Sequence, residues 1–271
     1  LSEVTITTVQ GIGDLFWCYQ KLAPLYDWIH FNVLTIDNAC PVQTRAKEFL
    51  TLLPKYGAHW FTQVSRDDYH RIATLRPRLP IAGPWFEYAV NNWLEGGTSL
   101  YEIDDQPVLE FVQLRGVRDT EFRMSTIVVF VAGMKGNQEP GLWSAHQWAE
   151  VAKQMMRKFE ASQFDFVGAA WDGEDAQAVI GFLERDGLRC HNLCGHLNLA
   201  ESTYIIRTGK AFLGYQSGLN VLAENYDVPQ LMVYFDRLKP MMHTWKKPKS
   251  TAFRAMTFGQ YSELGAIIAT M

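Results

Sequence analysis

Two turns in this sequence hold the residue types that group transfer to a hydroxyl requires. Gly11-Ile12-Gly13-Asp14 sets two glycines ahead of a carboxylate. Glycine lets a backbone approach a ligand closely, and a helix starting there offers N–H groups that favour an anion. Asp14 reads in two ways: as a general base for an acceptor hydroxyl, or as an N-cap carboxylate with a role only in stability. The second turn is Gly214-Tyr215-Gln216-Ser217-Gly218-Leu219-Asn220. Ser217 and Gly218 would present a hydroxyl and backbone N–H groups to a phosphate at a helix N-terminus; the alternative is a capped helix without a ligand. No Lys-Ser/Thr pair follows this turn, so it is not a Walker loop, and its glycine spacing is not that of a dinucleotide fingerprint.

Further clusters could do chemistry. Cys190-His191-Asn192-Leu193-Cys194-Gly195-His196 has metal-ligand types, but a zinc site wants a second ligand pair nearby. Two thiols on one strand, pointing inward, are expected instead. Glu102-Ile103-Asp104-Asp105 reads as a solvated acidic turn. Arg71, Arg76 and Arg78 could grip an anionic acceptor, a phosphorylated sugar or a nucleic-acid backbone; the alternative is a solvated helix end. Lys246, Lys247 and Lys249 read as a solvated run. Nine Trp, with Trp171-Asp172 among the polar-flanked ones, serve either in packing or in stacking on flat ligands. There is no Gly-x-Ser-x-Gly elbow, which disfavours a hydrolase of that type.

These turns need elements to hold them. A β-branched run at 4–9, the glycine turn, an apolar stretch at 15–22 stopped by Pro24, and a run at 31–36 make a βαβ unit. A helix is predicted over 43–53 and a short strand at 59–62. From 125 to 235 strand and helix alternate. Strands are predicted at 125–131, 164–170, 189–193, 211–215 and 230–235. Helices start after Ser144, at 175, after Asn198 and at Gly218. Ser144 with Gln147 is a capping box. Such alternation implies parallel sheets covered on both faces. The fold class is therefore α/β, with two Rossmann-like βα domains facing across a cleft and ligands at the carboxyl ends of the strands. The domains are set at 1–122 and 123–252. Phe258, Tyr261, Leu264 and Ile268, at helical spacing, suggest a C-terminal helix in 253–271 that crosses back to the first domain.

Composition sets the limits. With 271 residues, 48% hydrophobic and 20% charged, the chain is long enough for two such domains and is not disordered. A formal charge of −4 disfavours bare nucleic acid as the main partner. No apolar run reaches the roughly 18–20 residues that cross a bilayer. Four cysteines fit a reducing, cytoplasmic setting. The chain starts at Leu1 rather than Met, so upstream processing or trimming is expected, and no signal peptide is visible.

Four segments, in order, resemble the ADP-heptose:lipopolysaccharide heptosyltransferase-like family, glycosyltransferase family 9, of GT-B fold. Gly11-Ile12-Gly13-Asp14-Leu15 resembles its "G-x-G-D" loop. Phe130-Val131-Ala132-Gly133 with Trp143-Ser144-Ala145-His146-Gln147-Trp148 resembles its "hxPG…WP…W/Y" segment. Gly195-His196-Leu197-Asn198-Leu199-Ala200-Glu201 resembles "G-K-T-S-L-x-E". Gln216-Ser217-Gly218-Leu219-Asn220-Val221-Leu222-Ala223 resembles "D-S-G-x-x-H-L-A", with Val228-Pro229 entering the next strand. The likeness covers most of 125–235 and, in the first 120 residues, only the first turn and helix. The chain departs from the pattern at Gln216 (acidic in the family), Val221 (histidine), Gly141 (lysine) and Ser144 (proline).

The resemblance implies transfer of a sugar from a nucleotide-diphosphate donor to a saccharide or other hydroxyl acceptor, inverting and independent of metal, with no cofactor. It makes Asp14 the general base. It places Gly13, Gln216, Ser217, Gly218 and Asn220 at the donor, with Gly133 and Lys135 near phosphate. His196 and Leu197 fall on a turn that touches the base, and Trp171 and Asp172 on a strand end lining the nucleotide pocket. Arg71, Arg76 and Arg78 fall to the acceptor, for which nucleic acid is conceivable but not favoured. A donor sugar other than heptose fits the departures best. The rival readings are a GT-B-shaped sugar-nucleotide epimerase and a nucleotide-sugar-binding protein without turnover.

Overall fold

A computed structural model describes residues 2–9, 11–36, 41–64, 109, 111–120, 122–131, 142–234 and 250–271. Its contacts gather into two units, one built on Leu1–Gly116, the other on Val117–Arg237 with Lys247–Met271.

In the first unit β1 (Glu3–Val9), α1 (Ile12–Leu22), β2 (Trp28–Ile36), α2 (Pro41–Leu52) and β3 (Tyr56–Val64) follow one another. The strands lie parallel in the order β1-β2-β3. Ile29, Phe31 and Val33 alternate into the core of β2, the two-residue period of a strand. Leu15, Phe16, Tyr19 and Leu22 form the buried stripe of α1, and Ala46, Phe49 and Leu50 that of α2. Phe16 and Phe49 meet edge to face with centroids 5.5 Å apart, joining the helices. α1 starts earlier than its apolar stripe suggests: Gly11 is the N-cap, and Ile12 and Gly13 are already helical. The expected tight turn is thus a helix start.

The second unit runs β4 (Thr126–Phe130), α3 (Ala145–Phe159), β5 (Gln163–Phe166), a 3-10 turn Ala170–Asp172, α4 (Gly173–Arg185), β6 (Arg189–Asn192), α5 (Leu199–Thr208), β7 (Ala211–Tyr215), α6 (Gly218–Asn225), β8 (Gln230–Tyr234) and β9 (Phe253–Thr257). All six strands are parallel, in the order β6-β5-β4-β7-β8-β9. Counted from β4 this is 3-2-1-4-5-6, the doubly wound order with its reversal between β4 and β7. β4 is buried at every position because it is central. α3 packs on α4, and α5 on α6. Ser144 and Gln147 form the expected capping box; Asn198, expected as a cap, also forms a box with Glu201.

The described residues of the tail cluster with the second unit. Phe253–Thr257 forms β9, in register with β8. Then a 3-10 turn, Phe258–Glu263, precedes a short α7 (Leu264–Ala269). Phe258 is the reason: its ring meets Trp143 and Trp148 edge-on, and its carbonyl accepts the Trp143 indole N–H at 2.9 Å. Leu264 and Ile268 are buried as their spacing required, with α7 against α3.

Candidate functional site

The reversal between β4 and β7 puts the second glycine turn where a doubly wound sheet opens a crevice at its carboxyl edge. β7 ends at Tyr215, and the Gln216 amide still donates to the Val233 carbonyl at 2.8 Å. Ser217 is the extended N-cap of α6. Its Oγ accepts the Leu219 N–H at 3.2 Å, and its carbonyl accepts the Asn220 N–H at 3.2 Å. The Gly218 amide, first in the helix, has no intrahelical acceptor by construction.

A buried amide network holds this turn. Asn220, fully buried, accepts the Ser217 N–H on Oδ1 at 3.1 Å. Its Nδ2 donates to Gln230 Oε1 at 3.2 Å, and Gln230 Nε2 returns a bond to the Asn220 carbonyl at 3.3 Å. Gln230 is also fully buried, at the head of β8. Sequence reading passed over Gln230, since nothing local ties it to a residue ten positions earlier. Gln216 Oε1 is buried without a hydrogen-bond partner among the described residues. The ring of Tyr215 stacks on Phe258, 6.1 Å and 30° apart, so the tail braces the end of β7.

The ends of β5 and β6 form a second paired feature. The Asp172 carboxylate, buried, accepts the Ala169 N–H at 2.8 Å and so folds the 3-10 turn back on itself. Trp171 lies between Ala170 and Asp172 and is 53% exposed. Gly195, at φ +77°, packs on that turn: a Cβ there would fall 2.7 Å from the Ala170 Cα. Its N–H donates to the Gly168 carbonyl at 3.0 Å. Backbone that close, at positive φ, admits only glycine. His196 next to it is exposed, and Leu197 half-buried.

Asp14 occupies the third position of α1, within its first turn. It is not the N-cap, because Gly11 fills that position without a side-chain cap bond. The reading of Asp14 as the N-cap therefore falls. Gly133, Lys135, Arg71, Arg76 and Arg78 lie outside the described residues, as does Glu102-Ile103-Asp104-Asp105.

The cysteine run departs from the reading of two thiols on one strand. β6 ends at Asn192, so Cys194 sits in the turn beyond it, buried, while Cys190 is half-buried on the strand. Burial, then the charges of Glu184 and Asp165, push the Cys190 thiol up to about 12. His191 instead meets Asp165, its register partner on β5, with Nδ1 2.7 Å from Oδ1. Among the described residues no group of three or more His, Cys, Asp or Glu could hold a metal ion. Among them, too, no helix is long and apolar enough to cross a membrane.

The family model described as Glycosyltransferase family 9 (heptosyltransferase) matches residues 67–264. Among solved structures, ADP-heptose LPS heptosyltransferase II from E. coli is similar over 99% of this chain and 99% of its own, with 17% identity and a TM-score of 0.58. A family 9 glycosyl transferase from Veillonella parvula DSM 2008 is similar over 99% of this chain and 89% of its own, with 11% identity and a TM-score of 0.59. E. coli heptosyltransferase WaaC with ADP gives 94% and 93%, 10% identity and a TM-score of 0.54. The fold is thus shared with GT-B heptosyltransferases. A comparison with curated proteins finds no match.

Proposed function

Since the chain belongs to glycosyltransferase family 9 and is a glycosyltransferase, we propose that it moves a sugar from a nucleotide-diphosphate donor to an acceptor hydroxyl, inverting the anomeric centre and using no metal. The observation that supports this most is the α6 start at the β4/β7 reversal, with its cap bonds satisfied internally and its first amide left over. As the bond to the anomeric carbon breaks, negative charge builds on the diphosphate. Amides fixed at a helix N-terminus stabilise that charge without reorganising. Lys135, with Gly133, adds a cation. Gln216, directly after β7, serves the donor sugar. His196 and Leu197 serve the base end of the nucleotide.

Asp14 takes the proton of the acceptor hydroxyl as that oxygen attacks. Attack on the face of the anomeric carbon opposite the leaving group gives one displacement and one inversion. Arg71, Arg76 and Arg78 hold an anionic saccharide acceptor; the net charge of −4 gives a nucleic-acid acceptor no help.

The test is nucleoside-diphosphate release from a panel of ADP-, GDP- and UDP-sugars, with the product anomer read by NMR. Asp14→Asn should slow transfer by about 10²–10⁴-fold, with melting temperature and nucleotide affinity unchanged. A variant as active as the parent, or a retained anomer, overturns the mechanism.

A further inference from the structure

The connections that leave β4 and β7, on either side of the sheet reversal, are gripped by one ring that belongs to neither. Tyr215 closes β7 and leads directly into Gln216, Ser217 and the α6 start. Trp143 stands just before Ser144, the N-cap of α3, so it closes the connection that leaves β4. Phe258 follows β9 and lies against both. Its ring stacks on Tyr215 with centroids 6.1 Å apart and meets Trp143 edge-on at 5.5 Å. Trp148, in the first turn of α3, meets the same ring at 6.2 Å. With the Phe258 carbonyl accepting the Trp143 indole N–H, the tail holds Trp143 by ring and by backbone at once.

Phe258 is itself fixed. β9 pairs in register with β8, Thr257 opposite Tyr234. The Thr257 amide donates to Gln260 Oε1 at 3.0 Å, which turns the chain into its 3-10 segment. β7 and β9 flank β8, so about 10 Å separates them, and the ring reaches across β8 to Tyr215. Phe258, Trp143 and Trp148 are all buried, and rings packed that closely hold one arrangement. The turn they support has less to hold it. Ser217 and Gly218 are only half-buried, and α6 has eight residues, a length at which a helix depends on packing rather than on its own propensity. Resting on the reading of α6 as the diphosphate site, we propose that Phe258 is a positioning residue: through Tyr215 it holds the Ser217-Gly218 helix start in the orientation that receives the donor's diphosphate. It touches no ligand, and the C-terminal segment thereby sets donor affinity.

The experiment uses the full chain, ADP and inorganic pyrophosphate as probes, and calorimetric titration. Phe258→Leu keeps an apolar side chain and removes the flat ring. The lost pairing can shift the turn by no more than its own interaction free energy, so ADP and pyrophosphate should both weaken by about 2–12-fold. Tyr215→Leu should do the same from the other side of the stack, and the double variant should lose no more than the larger single loss. Tyr215→Phe should bind as the parent does. Ile268→Ala gives the comparison: it loosens the tail where α7 packs on α3 rather than at the stack, so it should lower the melting temperature and leave both affinities unchanged. Parental affinities in Phe258→Leu overturn the positioning role and leave the glycosyltransferase reading intact. So does equal weakening by Phe258→Leu and Ile268→Ala, which marks a general loosening of the tail, and so do additive losses in the double variant. A parent that binds neither probe overturns the diphosphate reading and the role of Phe258 with it. Should Phe258→Leu fail to fold, the Tyr215 variants decide: parental affinity in Tyr215→Leu overturns the role, and a loss restored in Tyr215→Phe supports it.

Discussion

Asn220→Ala removes the side chain that ties the α6 start to β8, and its cost can be worked bond by bond. The Ser217 amide loses its 3.1 Å acceptor; losing a cap contact of this kind costs about 1 kcal/mol. Gln230 Oε1 loses its 3.2 Å donor while remaining fully buried; an orphaned buried acceptor costs about 1–3 kcal/mol. The sum is about 2–4 kcal/mol. At about 2–4 °C per kcal/mol for a body of this size, the transition of the second unit should fall by roughly 4–16 °C. Calorimetry on the full chain reads this directly. A second variant isolates the cause. In Asn220→Ala with Gln230→Leu the orphan disappears together with its partner, so the double variant should lose less than the sum of the singles by about 1 kcal/mol or more. ADP affinity should fall with Asn220→Ala as well, since Ser217 and Gly218 lose their support. A loss under about 0.5 kcal/mol, or strict additivity in the cycle, would refute the account of the network.

Two further outcomes follow from charge. The Cys190 thiol, raised from 9.0 to about 12, should hold about a thousandfold less thiolate at pH 8 than an ordinary thiol; peptide mass spectrometry after brief alkylation of the native chain should find it unmodified, and fast labelling would contradict its burial. Lys153 bonds Asp186 at 2.7 Å and also meets Glu150. The hydrogen bond and then the charge of Lys153 hold the Asp186 carboxyl below its usual range. A lowered carboxylate stabilises the fold above its unfolded pKa, and that contribution fades as pH drops through the lowered value. The melting-temperature difference between parent and Lys153→Met should therefore shrink below about pH 4, and a difference that grows there would reverse the assignment.

Much of the second unit can be read from local chemistry. The capping box at Ser144, the cap at Asn198 and the bounds of β7 and α6 were legible because caps, glycines and apolar runs act over a few residues. Asp14 was legible as a candidate, but whether it was an N-cap was not: that depended on how many residues upstream could enter α1, and Gly11 settled it. β9 was invisible, because Phe253–Thr257 is short and pairs only with a strand some twenty residues earlier. The tail's destination was equally hidden. Helical spacing fixed that Leu264 and Ile268 would be buried, and only the Trp143 ring and indole N–H fixed what Phe258 packs against.

By itself, then, the sequence determined the α/β alternation, the two glycine turns and the family pattern around them, because periodicity, capping and glycine placement are properties of neighbouring residues. Tertiary structure alone decided that the sheet reverses between β4 and β7, that Gln230 holds Asn220, and that Gly195 pins the turn exposing Trp171. These contacts join residues far apart in the chain, and only the packed sheet brings them within a few ångströms.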